Sequence, residues 1–291
     1  MLHGDQILFE SKAKISGDKG VKKVNENETV SEKLLLNTTK TTLLDDQILL
    51  QPKPTVSGET GVEKVNENET VSEKLGVAIC AIQKNAEMYL EEWIDYYFII
   101  GVDKLYVYDN SEEHVLKDWA YNPSDILEII HFPGEVQQKP AYEHCARKIK
   151  SERLYEWVAF FDLDEFLVLK NYTRIQDMIV AVTQGLQPQS IGGLALNWLI
   201  FDYNNQLRYQ PFPLSQRFTR RERDVNMHVK TIVYVQHYAG YINPHAFSYS
   251  RDDIFAYDTT SKQLKETPWF NPNGPSDIAV LHHYHTKSIE E

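Results

Sequence analysis

The distribution of aromatic residues along this chain decides where a hydrophobic core can form. Of its 34 Phe, Trp and Tyr residues, only Phe9 lies before residue 76. Aromatic side chains bury large apolar surfaces, and a segment that lacks them cannot offset the entropy of ordering its backbone. We therefore predict a folded domain over residues 76–291 and a flexible, disordered leader over residues 1–75.

The predicted leader contains a tandem duplication. The segment 20–34, GVKKVNENETVSEKL, returns at 61–75 as GVEKVNENETVSEKL, and DQIL at 5–8 returns at 46–49. A solenoid needs about three or more copies to bury a continuous core. Two copies that are poor in large apolar residues indicate a duplicated flexible segment, and we expect no catalytic residue there.

Charge and composition exclude several classes of protein. The formal net charge is −12, from 30 basic and 42 acidic residues, which argues against nucleic-acid binding through phosphate neutralisation. Cys80 and Cys145 are too few for a disulfide framework or a Cys-rich zinc site. No apolar run reaches about 18 residues and none opens the chain, so we expect neither a membrane span nor a secretory signal peptide in it. Localisation and peripheral membrane association stay open.

Strand-like and helix-like patterns alternate from residue 76 onward. Short apolar runs typical of buried strands occupy residues 75–83, 104–110, 126–132, 157–161 and 191–201. Helical patterns are expected between the first four of these runs, over residues 86–98, 111–119 and 140–153. Such alternation predicts an α/β fold with a largely parallel sheet. Since ligands bind beyond the carboxyl ends of parallel strands, Lys84-Asn85, Asp109-Asn110 and Asp162–Asp164 should surround one crevice.

Three acidic residues follow the fourth apolar run. Asp162 and Asp164 have D-x-D spacing, and Glu165 comes directly after them. Carboxylates this close to a buried strand repel one another, and a divalent cation removes that penalty. Mg²⁺ and Mn²⁺ prefer carboxylate oxygens, and they are often bound by one or two protein carboxylates together with substrate phosphates. The pattern therefore predicts a metal site, with a solvated turn as the alternative.

Several short segments resemble, in the same order, the glycosyltransferase family 2-like and family 92 proteins. They are ICAIQKNAEMYLEEWIDYY, GVDKLYVYDNS, WVAFFDLDEFL, NWLIF, RFTRR, HVKTIV, NPHAF and HHYHTKSIEE. The resemblance covers about residues 78–291 and implies the GT-A fold, a mixed, mostly parallel sheet flanked by helices. One departure is that Ala86 follows Lys84-Asn85 where the family usually has Glu, so that Glu87 comes one position late.

The resemblance implies a metal-dependent, inverting transfer of a sugar from a nucleotide sugar, a UDP-sugar, to a glycan, a glycoconjugate or another hydroxyl acceptor. Mn²⁺ or Mg²⁺ would be held by Asp162, Asp164 and His283, with His285 as the alternative to His283. The implied donor-binding residues are Lys84, Asn85, Asp109, Asp162, Lys230 and Lys287. In such proteins the last motif is usually followed by further helix, which leaves truncation at the C-terminus open.

Residues 76–170 should hold the nucleotide sugar and residues 171–291 the acceptor. An inverting enzyme needs a carboxylate that takes the acceptor proton, and Glu165, Asp202, Glu222 and Asp224 all qualify. We favour Glu222 or Asp224, which lie close to His228 in the sequence. Trp198 is a core residue or a platform for a sugar ring. The basic cluster Arg217, Arg220, Arg221 and Arg223 is either a solvated face or an attractor of anions.

Two other functions compete with the glycosyltransferase hypothesis. A nucleotidyltransferase or phosphotransferase could use the same carboxylates, although the sequence has no P-loop. A non-catalytic carbohydrate-binding protein is the third hypothesis. The chain also has N-x-[ST] sequons at Asn27, Asn37, Asn68 and Asn171, which matter only if it enters a secretory lumen.

Overall fold

The computed structural model describes residues 75–291. The predicted leader and its duplication, apart from Leu75, lie outside the described residues. The strands are β1 Val77–Gln83, β2 Lys104–Asp109, β3 Leu127–His131, β4 Trp157–Phe160, β5 Glu165–Leu169, β6 Ile191–Ile200, β7 Asn226–Tyr234, β8 Tyr238–Asn243, β9 Ala246–Tyr249, β10 Phe255–Asp258, β11 Gln263–Leu264 and β12 Ala279–His283. The α-helices are α1 Leu90–Ile99, α2 Gln138–Glu152, α3 Ile175–Thr183 and α4 Leu214–Arg217.

A mixed sheet forms the centre of the domain. Its strand order is β11-β10-β6-β7-β4-β1-β2-β3, and β12 pairs with both β5 and β6. Strand β1 is parallel to β2 and β4, β2 is parallel to β3, and β6 is parallel to β10 and β12. Strand β7 lies antiparallel between β4 and β6. The expected α/β fold with a mostly parallel sheet is confirmed, and one sheet runs through residues on both sides of position 170.

Helices cover both faces of this sheet. On one face, α1 buries Leu90, Trp93, Ile94 and Tyr97 at helical spacing, and α3 packs into the same core. Gly101 follows α1 with a φ of +88°, the left-handed conformation that commonly ends a helix. On the other face lie α2 and the β8–β9 hairpin. No helix within residues 75–291 is long and apolar enough to cross a bilayer.

The two cysteines, whose number alone says little, are joined in the fold. Cys80 of β1 and Cys145 of α2 form a disulfide with a Cα–Cα distance of 6.4 Å. Both residues are fully buried. The bond therefore fixes α2 to an interior strand of the sheet from inside the core.

The helix predicted over residues 111–119 is wrong, because this segment consists of turns. The carboxylate of Asp109 accepts hydrogen bonds from the backbone N–H groups of Ser111 and Leu116 at 3.1 and 3.0 Å. The Ser111 hydroxyl accepts another from Val115 N–H. Side chains that take these N–H groups compete with helical hydrogen bonding. His114 also has a φ of +53°, which no α-helix contains.

Candidate functional site

The carboxyl ends of three parallel strands lie at one edge of the sheet. Gln83 at the end of β1 is in register with Asp109 at the end of β2, and Gln83 Nε2 donates to Asp109 Oδ1 at 2.8 Å. On the other side of β1, β4 ends at Phe160, followed by Phe161 and then the D-x-D residues. The three predicted polar segments therefore follow neighbouring strands.

Aromatic residues of α1 hold the acidic turn in place. Trp93 Nε1 donates to the carbonyl of Asp162 at 3.1 Å, and Tyr97 OH donates to the carbonyl of Glu165 at 2.9 Å. The turn also closes on itself, since Asp162 N–H donates to Glu165 Oε2 at 2.8 Å and Glu165 N–H donates to the Asp162 carbonyl. The backbone that carries the two aspartates is thus fixed from the core.

A lysine lies beneath the turn. Lys230 of β7 is 1% exposed, and its Nζ lies 2.9 Å from Asp162 Oδ2 and 3.2 Å from Glu165 Oε2. The other oxygen of Asp162 accepts a hydrogen bond from Tyr142 OH of α2 at 3.2 Å. Both oxygens of Asp162 are therefore oriented by protein groups, and Glu165 is completely enclosed.

Burial and ion pairing act in opposite directions on these groups. Burial would raise the pKa of Asp162, but the neighbouring Lys230 ammonium outweighs it and lowers the pKa. Burial raises the pKa of Glu165 to about 8, because Lys230 offsets only part of the desolvation. The two carboxylates hold the pKa of Lys230 above its usual value despite burial. Lys230 therefore pairs with a charged Asp162, while burial shifts Glu165 toward its protonated form.

Asp164 faces two residues from the end of the chain. The Nε2 of His283 lies 3.6 Å from Asp164 Oδ1, and Lys287 Nζ is paired with Asp164 Oδ2. His283 reaches this position because β12 runs antiparallel to β5 with His283 opposite Glu165. Burial lowers the pKa of His283 to about 4, which keeps its imidazole neutral. His285 is exposed, so the geometry favours His283 as the residue that acts with Asp164.

The side chains around Asp164 fit a divalent cation whose remaining ligands come from a substrate. Carboxylate oxygens suit Mg²⁺ and Mn²⁺, and neutral imidazole nitrogens are ligands of divalent transition metals. The buried Nδ1 of His283 has no hydrogen-bond partner among the described residues. Within residues 75–291 no group of three or more His, Cys, Asp or Glu side chains forms a metal site by itself. One or two protein carboxylates completed by substrate phosphates are a common arrangement for Mg²⁺.

A ring cluster lines the neighbouring part of the sheet. The indole of Trp198 on β6 stacks on the ring of His228, with 5.3 Å between the ring centroids. Its centroid lies 5.0 Å from that of His245 and 4.4 Å from that of His283. Burial lowers the pKa of His228, and that of His245 to about 4. Trp198 is only partly buried. It therefore forms, together with His228, His245 and His283, a partly exposed surface of uncharged rings, and it is not only a core residue.

Sequence reasoning missed the residues that support the turn from other elements. The spacing of Trp93 and Tyr97 predicts their burial in α1, but no local signal names the carbonyls to which they donate. Tyr142 is likewise one of several apolar residues on a helical face. These three polar contacts depend on tertiary packing, so only the structure reveals them.

The other predicted donor-binding residues lie around the same edge. Lys84 and Asn85 are exposed directly after β1. Asp109 is fully buried and its oxygens accept three hydrogen bonds that organise the loop after β2. These contacts, after the opposing effect of burial, lower the pKa of Asp109. In the structure Asp109 therefore stabilises the loop after β2, and its contact with a nucleoside stays a prediction.

The predicted basic cluster divides into interior and surface residues. Arg217 is 4% exposed and makes a bidentate ion pair with Glu291, with Nη1 at 2.8 Å from Oε1. The interpretation of all four arginines as one patch is therefore wrong for Arg217. Arg220 and Arg223 are exposed, and Arg220 lies 3.8 Å from Asp202.

The two favoured base candidates lie on an exposed segment before β7. Glu222 and Asp224 line a groove of about 510 Å³ together with Asn226, Met227 and Pro272. Glu222 N–H donates to the carbonyl of Ile200 at 2.9 Å, and Ile200 is opposite His283 in the pairing of β6 with β12. The backbone of Glu222 is therefore two strand spacings, roughly 10 Å, from that of His283.

The chain is similar to a group of plant proteins. A sequence profile described as glycosyltransferase family 92 matches residues 73–239. Glycosyltransferase family 92 proteins of Ricinus communis and Oryza sativa subsp. japonica are 32% and 30% identical over 110 and 107 residues, each match covering 35% of this chain. One from Arabidopsis thaliana is 27% identical over 140 residues, or 45% of this chain. These matches span 19%, 18% and 22% of the relatives' own lengths. The profile covers more than half of the chain, which therefore belongs to glycosyltransferase family 92.

Proposed function

We propose that this domain transfers a sugar from a UDP-sugar to a hydroxyl of a glycan or glycoconjugate, with Mn²⁺ or Mg²⁺, in a GT-A arrangement and with inversion at the anomeric carbon. The observation that carries the proposal is the turn Asp162–Asp164 in a family 92 chain. It stands at the carboxyl edge of parallel strands, where α/β sheets bind ligands, and His283 lies beside it.

Asp164 and His283 would hold the cation, with Asp162 next to them. When bound, the cation supplies positive charge to the diphosphate oxygens. The protein contributes orientation, because Tyr142 and Lys230 fix the carboxylate of Asp162 before any ligand arrives. Groups positioned in advance do not have to reorganise during the reaction, which is the main source of electrostatic catalysis.

Lysine side chains supply further positive charge at this edge. Lys287 Nζ is paired with Asp164 and its side chain is 20% exposed, so it can also reach a bound anion. Lys84 is exposed after β1. We assign to Lys287 the stabilisation of the departing diphosphate, whose negative charge grows as the sugar leaves.

The acceptor proton needs a carboxylate that solvent and acceptor can reach. Glu165 is enclosed and paired with Lys230, so it serves the turn rather than the acceptor. Glu222 and Asp224 are exposed on a groove that borders the β6 end near His283. We therefore keep them as the proposed bases, with Glu222 first because its backbone adjoins Ile200.

The test is the release of UDP from a panel of UDP-sugars in the presence of Mn²⁺, with and without a chelator. We expect chelation to abolish release, and D162N and D164N to lower kcat/KM by about 100-fold or more, since a few kcal/mol of charge stabilisation corresponds to that factor. D177N, an exposed aspartate of α3, is the matched control and should behave like wild type.

Four results would contradict the proposal. Release of UMP would indicate transfer of a sugar phosphate, and release of sugar 1-phosphate would indicate nucleotidyl transfer. Glycan binding that D162N and D164N leave unchanged, without turnover, would indicate a carbohydrate-binding protein. A folded chain that binds no nucleotide sugar with any divalent cation would exclude the glycosyltransferase function.

A further inference from the structure

A loop between β5 and α3 carries an intact sequon on the surface. Asn171, Tyr172 and Thr173 match N-x-[ST] with a residue other than proline in the middle. Asn171 and Thr173 are both exposed, and the segment belongs to no helix or strand. The acceptor amide and the hydroxyl that a sequon requires are therefore both reachable in the folded domain.

The amide of Asn171 can be modified without loss of its structural contact. Its Nδ2 makes one exposed hydrogen bond, to the carbonyl of Asp277 at 3.4 Å. An N-glycosidic amide keeps one N–H on this nitrogen, and that N–H can still donate to Asp277. Attachment of a glycan therefore does not require the loop to move.

The disulfide between Cys80 and Cys145 is an independent observation. Both cysteines of the chain are used in it and both are fully buried. Their Cα–Cα distance of 6.4 Å lies within the range of disulfides. Structural disulfides persist in oxidising compartments and are rare where glutathione and thioredoxin keep thiols reduced. The compartment that forms this bond in a eukaryotic cell is the one in which sequons are used.

We propose that Asn171 receives an N-linked glycan when this domain folds in an oxidising secretory lumen, the kind of compartment in which the Cys80–Cys145 disulfide forms. In the transfer, Asn171 Nδ2 forms a bond to C1 of the glycan and loses one proton. The bond between C1 and the oxygen of a lipid diphosphate breaks, and the lipid diphosphate leaves with the electron pair. Cys80 and Cys145 are oxidised by exchange with a protein disulfide, which is reduced to its dithiol.

The proposed glycan would stand away from the acidic turn. Glu165 begins β5 beside that turn, and Asn171 lies two residues beyond the opposite end of the strand. Six residues of extended chain span roughly 20 Å. We therefore expect the modification to leave any activity of the Asp162–Asp164 turn unchanged, so this inference can fail or succeed independently of the proposed function.

The first test directs the full chain into the lumen of a eukaryotic cell with an added cleavable signal peptide. Asn27, Asn37 and Asn68 are replaced by Gln, so that Asn171 is the remaining sequon. We expect one endoglycosidase-sensitive glycan, located at Asn171 by peptide mass spectrometry. N171Q and T173A should lose it, whereas T173S, which keeps the hydroxyl, should retain it. Secreted chain with the disulfide formed and Asn171 unmodified would overturn the proposal.

The second test asks whether the disulfide matters to the folded domain. The same chain is produced in the cytosol, and its thiols are counted by alkylation after denaturation, because both cysteines are buried in the folded domain; the secreted, deglycosylated chain is treated in the same way. We expect no reactive thiol in the secreted chain, two in the cytosolic chain, and a lower denaturant midpoint for the latter. Free thiols in the folded secreted chain would show that the disulfide does not form in the lumen and would overturn its use as support for glycosylation of Asn171.

Discussion

Lys230 places a positive charge beside the acidic turn, inside the domain. Its ammonium is enclosed and lies within 3.2 Å of both Asp162 and Glu165. An ion pair of this kind contributes little by itself, because desolvation offsets the attraction. Removal of Lys230 leaves Asp162, whose side chain is 33% exposed, without its counter-charge and with only partial compensation by solvent. The orientation of Asp162, and with it the site, therefore depends on Lys230, whose contact with the donor stays a prediction.

The substitution K230M tests this dependence. We expect it to lower the free energy of unfolding by roughly 1–2 kcal/mol, since Asp162 loses its counter-charge but solvent screens part of the effect. Urea denaturation measures the change. K84M, which removes an exposed lysine, is the control and should be within about 0.5 kcal/mol of wild type. A K230M variant as stable as K84M would show that Asp162 needs no buried counter-ion.

For Glu222, an effect on the proposed chemistry can be separated from an effect on the stability of the fold. If it takes the acceptor proton, E222Q should lower kcat by about 100-fold or more and leave donor binding unchanged. Steady-state kinetics with varied donor and acceptor, together with the unfolding midpoint, separates this effect from instability. D224N is the matched variant on the same groove. A large effect of D224N with none of E222Q would exchange their roles.

At the scale of elements, the disulfide joins β1 and α2 across 65 residues. Chain-entropy arguments give about 4 kcal/mol for a loop of this length, as an upper estimate. We expect C80A/C145A to lose much of this, and reductant to destabilise wild type but not the double variant. Denaturant unfolding with and without reductant measures both. Wild type that is indifferent to reductant would show that the bond contributes nothing.

Elements whose pattern is local were predicted from the sequence, and elements governed by side-chain contacts were not. The spacing in α1 and the residues of α2 are evident because apolar positions repeat every three or four residues. The segment 111–119 has polar residues that suit a helix, yet Asp109 and Ser111 take its N–H groups. That outcome depends on Asp109 being buried at a strand end, which a local pattern does not contain.

At the scale of the whole molecule, the alternation of strand-like and helix-like patterns predicted a sheet but not the complete order of its strands. The insertion of β7 antiparallel between β4 and β6 brings Lys230 under Asp162, a contact between residues 68 apart in sequence. Alternation within a strand fixes which side chains share a face, but not which strand is the neighbour. For the same reason the D-x-D turn was found from sequence, while its partners Lys230 and Tyr142 and the interior position of Arg217 were not.

The ion pair between Arg217 and Glu291 should make the free energy of unfolding depend on pH. Burial would raise the pKa of Glu291, but Arg217 and the hydroxyls of Ser288 and Tyr89 lower it to about 2. A lowered carboxyl pKa stabilises the folded state above the unfolded value near 4.5 and is lost as the pH falls toward 2. We expect a difference of about 3 kcal/mol between wild type and E291Q at pH 6.

This difference should shrink below pH 4.5 and nearly vanish near pH 2. Urea unfolding of both proteins across that range measures it. A difference that stays constant with pH would mean that the charge of Glu291 does not contribute.

Strand β12 determines when the acidic turn can be completed during synthesis. Within the part of the chain that the structure describes, β5 pairs with β12 alone, and β12 also pairs with β6. The D-x-D residues leave the ribosome long before Ala279–His283, because translation proceeds from the N-terminus. A nascent chain that has not reached Ala279 therefore exposes the edge of β5 and lacks His283. The complete turn can therefore form only after these five residues have left the ribosome.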